Sequence, residues 1–291
     1  MRPVGQILRE VGRDSVTDRV SGLAAEMAFF GALGLFPGLM VVAGLIGWLD
    51  RLTGGHVAAM AESAVVRFLG QILSDQASGV IMVVRDLFAR ERSGVVTTAL
   101  IVSVWAMSRG FAAAVRALDL AYGLKERRTW LDVRIRAFLL AVGSAVMVAV
   151  VLAMFTVGPL FGHGRHLAEG LGLGPAFVFL WDWVRGPATF ALVVLWMATI
   201  YRIGPNHDSV WREGLPGALT AGVAWLALAF GFGAYIRLAG HVNRVFGVLG
   251  AGLVVLTFIY LLSLTLLLGG ELNAVLAKRR GTGTEAKEAV E

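Results

Sequence analysis

Long uncharged stretches alternate along this chain with short charged ones. A hydrocarbon core ~30 Å thick takes about 20 apolar residues of helix to cross. Six runs reach that length, at 24–49, 94–115, 137–161, 176–201, 215–236 and 246–270. Those at 137–161, 215–236 and 246–270 hold no charge, whereas 94–115 carries Arg109 and 176–201 carries Asp182 and Arg185. The pattern predicts an all-α fold, a polytopic membrane bundle of six transmembrane helices with both termini cytoplasmic. Its expected organisation is an N-terminal polar segment over 1–22, a membrane domain over 23–274 and a disordered polar tail over 275–291.

The connection between the first two runs is long and has its own periodicity. Val65, Phe68, Leu69, Ile72 and Leu73 recur at helical spacing, and after the turn-like SDQASG the pattern resumes with Val80, Val83, Val84, Leu87 and Phe88. An extracytoplasmic amphipathic helical hairpin over 53–92 is predicted, lying on the outer leaflet or packed on the bundle.

Composition excludes a soluble globular domain, because 57% of the residues are apolar, 16% are charged and the mean hydropathy is +0.74. The chain has no cysteine, so neither a disulfide framework nor a thiolate metal site is available. Arg2, Arg9, Arg13 and Arg19 interleave with Glu10, Asp14 and Asp18 at the N-terminus, without an apolar core or cleavage site. A retained cytoplasmic segment is expected there, not a signal peptide. Lys and Arg concentrate in cytoplasmic loops. With the N-terminus inside, 17 of the 26 fall on inner segments and 8 on outer ones, Arg185 remaining within the fourth run. The asymmetry sets the orientation.

Charge within hydrocarbon costs ~2.5–3.5 kcal/mol at a helix centre, so such residues tend to face the bundle interior and pair. On this topology Glu26, Arg109, Arg116, Arg202, Asn206, Glu271 and Asn273 all fall at the cytoplasmic ends of helices. They suggest a polar vestibule in which the carboxylates of Glu26 and Glu271 offset Arg109 and Arg116; the alternative is a ring of side chains snorkelling to the interface. Arg109, inside an apolar run, is expected to be held by Glu26, Glu271 or both, with Gly110 allowing a close helix approach. Pro37 and the Gly186-Pro187 pair are expected to interrupt the first and fourth helices, a pattern found at transport sites. Asp182 and Arg185, at i and i+3, are expected to form an intramembrane pair. Small residues on the fifth helix, Gly217, Ala218, Gly222, Gly231 and Gly233, predict close backbone packing.

No cofactor or metal site is predicted. His163, His166 and Glu169 stand near one another, but on an outer loop, and His56, His207 and His241 are isolated. Cytoplasmic phosphodiester cleavage would need clustered metal ligands and a base. The basic KERRTW stretch is accounted for by the positive-inside rule and anionic headgroups, without nucleic acid.

Four segments carry a family resemblance: GLAAEMAFFGALGLFP from Gly22, VWAMSRGFAAAVRALDLAYG from Val104, PNHDSVWREGLPGAL from Pro205, and FGVLGAGLVVLTFIYLLSLTLLLGGELNA from Phe246. The chain resembles the YihY/BrkB family of bacterial inner-membrane proteins, once labelled ribonuclease BN, along nearly its whole length. The resemblance implies six helices, cytoplasmic termini and residence in the bacterial cytoplasmic membrane; it implies no established reaction. The expected function is a transporter or lipid-translocating protein for an anionic or amphiphilic solute. A non-transporting scaffold or regulator of envelope assembly is the second reading, and a ribonuclease the last. The expected partners are the lipid bilayer and that solute, with no nucleic acid, and a homo-oligomer is compatible with the sequence.

With no native cysteine to interfere, single cysteines map the topology directly. Cysteine at Ala77 or Ala168 should be labelled from outside intact cells, and cysteine at Lys125 or Asn206 should not. External labelling of Lys125→Cys would overturn the orientation.

Overall fold

A computed structural model describes residues 4–35, 93–125, 128–162, 175–206, 210–239 and 243–279. The described residues form seven helices and no strand. We number them α1 (Val4–Thr17), α2 (Val20–Leu35), α3 (Ser93–Ala121), α4 (Trp130–Gly162), α5 (Pro175–Ile203), α6 (Trp211–Ala239) and α7 (Asn243–Arg279). Helices α3 to α7 are the five among the described residues that are long and apolar enough to cross a bilayer. The first predicted run begins in α2; its remainder, with Pro37, lies outside the described residues, as does the hairpin predicted over 53–92.

Each long helix packs on the next in sequence, and α7 returns to pack on α3, so the five close into a ring. Leu118 of α3, Leu140 of α4, Met197 and Tyr201 of α5 and Leu267 of α7 fill one buried cluster. Outward faces are also apolar. On α6 the exposed stripe is Leu219, Val223, Leu226 and Phe230, spaced at helical intervals, while Ala218 and Ala221 on the other face are buried. Burying one such side chain is worth ~1.5–3 kcal/mol, so a belt of them is stable only where lipid replaces water.

Without a hydrophobic drive between helices in lipid, close approach comes from small residues. At Gly217 a Cβ would collide with the Gly269 carbonyl and Asn273, and at Gly222 it would press on Val194 and Phe190. The fifth predicted span therefore packs through Gly217, Ala218 and Gly222. Gly231 and Gly233, expected to share this role, face open space.

The described end segments add helix to the bundle. Residues 4–17 form the amphipathic helix α1, which packs against α7. Helix α7 continues through 275–279, expected to belong to the tail, and buries Val275 and Ala277. Lys278 and Arg279 in its last turn suit the negative end of the helix dipole. Glu10 receives Arg279 on both carboxylate oxygens, at 2.8 and 3.1 Å, and Asp14 lies 3.9 Å from Lys278. Helix α5 runs through the Gly186-Pro187 pair. Proline removes one backbone hydrogen bond, and the rest of a helix this long remains hydrogen-bonded around it.

Candidate functional site

At the end of α3, Gly123 adopts a left-handed conformation with φ 67°. The amide of Leu124 donates to the Asp119 carbonyl at 2.8 Å and that of Gly123 to the Leu120 carbonyl at 2.9 Å, a Schellman closure that glycine permits without strain. This turn aims the chain back toward α4. Thr129 then caps α4 by a capping box: its hydroxyl donates to the Asp132 carboxylate at 2.6 Å, and the Asp132 amide donates back at 3.3 Å.

Between these two turns lies a buried ion pair. Arg128 Nη2 meets Asp119 Oδ2 at 2.5 Å, with the side chains 8% and 6% exposed. The second carboxylate oxygen accepts the Asn206 amide at 2.6 Å, and Arg128 Nη1 donates to the Gly204 carbonyl at 2.9 Å. Arg136 donates to the Ile203 carbonyl at 2.9 Å. Two arginines thus satisfy carbonyls at and just past the C-terminal end of α5, where the helix dipole is negative. Asp119 at the last turn of its own helix is disfavoured by the same dipole, and the ion pair with the amide offsets this. The link joins the α3–α4 connection to the α5–α6 connection.

The seven residues expected to form one vestibule are distributed among several contacts. Glu26 does pair with a basic residue, but it is Arg116, at 2.6 Å, half-exposed. Arg109 makes no ion pair among the described residues. Its guanidinium lies over Phe30 at 5.3 Å and Trp105 at 5.9 Å, so aromatic faces replace the expected carboxylate. Gly110 does admit a close neighbour, its Cβ position lying 3.4 Å from the Met27 carbonyl of α2. Arg202 stacks on Trp211 at 5.1 Å, and Asn206 belongs to the Asp119 link. Asn273, 1% exposed, bridges α6 and α7: its Oδ1 accepts the Gly217 amide at 2.7 Å and its Nδ2 donates to the Gly214 carbonyl at 3.1 Å. Tyr201 makes a comparable bridge, donating to the Leu266 carbonyl at 2.6 Å.

Glu271 stands apart. It is 1% exposed, and its carboxylate receives no N–H or hydroxyl donor among the described residues; its side-chain neighbour is the Asp18 carboxyl, and two such acids hydrogen-bond only by sharing a proton. Its charged neighbours are Asp18 and Asp14 on the α1 side and Lys278 on its own helix. Burial pushes the Asp18 carboxyl above its ordinary range; Lys278 opposes the shift and Asp14 adds to it. Arg19, next to Asp18, takes φ 54°, a left-handed conformation unusual for a residue with a Cβ. The strained turn directs α1 across the end of the bundle where Glu271 lies.

The side chain of Asp182 and residues 163–174 lie outside the described residues, and with them the Asp182–Arg185 pair and the two neighbouring histidines. Among the described residues no group of three His, Asp or Glu stands together as metal ligands would. Sequence reasoning missed Asp119 and Arg128. The signal was present in a carboxylate placed one turn before a Tyr-Gly helix stop, where only a basic partner makes it favourable.

Substitution should rank these contacts. Asn273→Ala strands a buried amide and carbonyl and should destabilise by ~1–3 kcal/mol, whereas Arg109→Ala should lose only ~0.5–1 kcal/mol of cation–π contact. Thermal unfolding in detergent compares them, and a larger loss for Arg109→Ala would contradict the placement.

Comparison with known proteins agrees with this architecture. The family model described as virulence factor BrkB matches residues 11–291. A Bacillus subtilis (strain 168) protein named putative ribonuclease-like protein YfkH is 26% identical over 88% of this chain and 90% of its own length. A UPF0761 membrane protein of Xanthomonas oryzae pv. oryzae (strain PXO99A) is 28% identical over 94% of this chain and 61% of its own length. The corresponding protein XAC0937 of Xanthomonas axonopodis pv. citri (strain 306) is 27% identical over the same shares. The chain therefore spans about 61% of these Xanthomonas relatives. No solved structure matches it. A matched model covering nearly the whole chain, together with a bundle of apolar helices, makes this a multi-pass bacterial membrane protein of the BrkB family.

Proposed function

We propose that the protein is a transporter or lipid-translocating protein of the cytoplasmic membrane, moving an anionic or amphiphilic solute, with both termini on the cytoplasmic side and no enzymatic role. The observation that carries the reading is Glu271. An ionisable group inside a membrane bundle is expensive to maintain, and where structure alone requires one it is paired. Glu271 is buried without an N–H or hydroxyl donor among the described residues, facing the Asp18 carboxyl beside α1, which packs on α7. Such a carboxylate suits transient binding of a proton that accompanies an anionic solute, or of the cationic group of an amphiphile.

One observation favours the second reading, a non-transporting scaffold. Leu118, Tyr201 and Met197, all under 2% exposed, seal the ring beside the helix ends. In the transport reading this is the closed state of a cycle.

Reconstitution into liposomes separates the two. Wild-type protein should support solute flux or lipid scrambling above empty liposomes, and Glu271→Gln, which keeps the side-chain shape, should fall toward the empty-liposome level while remaining folded. Wild-type liposomes indistinguishable from empty ones across a broad screen of solutes and lipids would favour the scaffold.

A further inference from the structure

A shallow groove of about 390 Å³ runs between α3 and α4 on the outside of the bundle, walled by Ile101, Val104, Trp105, Ile135 and Phe138, with Arg134 among its lining. Its apolar residues face outward, Ile101 at 65% and Trp105 at 49% exposure. Two guanidinium groups border Trp105 here. Arg109 lies beside the rings of Phe30 and Trp105, at 5.3 and 5.9 Å from their centroids, and Arg134 lines the groove together with Trp105. Neither arginine has a carboxylate partner among the described residues, and the nearby Glu26 is engaged by Arg116. Like charges placed together without an acid leave a site that an anion would complete.

The depth suits a headgroup. Trp130, at the start of α4 and 77% exposed, is the kind of residue that marks a membrane interface. Arg134 lies one helical turn further in, a rise of about 6 Å, within the reach of a snorkelling side chain. Basic groups therefore sit at the headgroup boundary, next to an apolar groove that continues along Ile101 and Phe138 in the direction of the hydrocarbon.

We propose that this groove binds an anionic phospholipid, its phosphate between Arg109 and Arg134 and an acyl chain along the α3–α4 groove. Binding requires only residence of the lipid, so the site stands apart from the transport reading and is tested without flux. Two basic residues at a membrane surface contribute on the order of fivefold each, or roughly 25-fold in preference for an anionic over a zwitterionic headgroup.

Native mass spectrometry of the full chain, titrated with dioleoyl phosphatidylglycerol or dioleoyl phosphatidylcholine, reads that preference. Wild-type protein should retain phosphatidylglycerol selectively, and the double variant Arg109→Gln, Arg134→Gln should lose most of the selectivity. Arg202→Gln, whose guanidinium lies on Trp211, should keep it. Ile135→Trp fills the groove with both charges intact and should also weaken retention, which covers the case in which the double variant does not fold. A large excess of inorganic phosphate should leave the bound lipid in place. Equal retention of both lipids by wild type, selectivity unchanged in the double variant or in Ile135→Trp, displacement by phosphate alone, or a dimer formed through this face in place of bound lipid would each overturn the proposal.

Discussion

A carboxylate buried at the end of a membrane helix must be neutralised where it stands, and in this protein that requirement organises one end of the bundle. Asp119 lies in the last turn of α3, disfavoured by its own helix dipole and screened from water. Arg128 and the Asn206 amide complete it, and each arrives from a different connection. Arg128 also holds the Gly204 carbonyl, so a single side chain fixes where α4 begins and α5 ends. Because α3 packs on α4 and α7, and α7 on α6, this link sets the register of the ring at that end.

Around the link, polar bridges and small residues take over from the hydrophobic effect, which has little to offer between helices in lipid. Asn273 and Tyr201 satisfy backbone groups across helix interfaces, and the Gly217–Gly269 approach brings the backbones of α6 and α7 together. The apolar side chains that a soluble protein would bury are displayed outward. Glu271 within the bundle and Arg109 on its surface take no part in these bridges.

Much of the architecture was legible in the sequence because a bilayer writes it in run lengths, and α3 to α7 each contain a predicted run. The pairings were less legible. Arg109 and Arg116 are seven residues apart, nearly on one helix face but about 10 Å apart along the axis. Which of them meets Glu26 depends on the axial register of α2 against α3, and no local pattern encodes that. Arg109 also found aromatic faces, an alternative to a carboxylate that charge counting overlooks. Asp119 was missed for a similar reason, since Arg128 is nine residues away and Asn206 is 87. The KERRTW run reads as a positive-inside flank meeting anionic headgroups, yet Arg128 within it is only 8% exposed.

A double-mutant cycle on the Asp119–Arg128 pair tests the central claim most directly, with unfolding followed in mixed detergent micelles. Breaking a buried pair by removing one partner costs ~3–5 kcal/mol. Asp119→Ala and Arg128→Ala should each reach that range, since the first also strands the Asn206 amide and the second the Gly204 carbonyl, and the double variant should cost clearly less than the sum of the two. Single variants within ~0.5 kcal/mol of wild type, or singles whose effects simply add, would show that the pair is a surface-like contact and that the register of the bundle is set elsewhere.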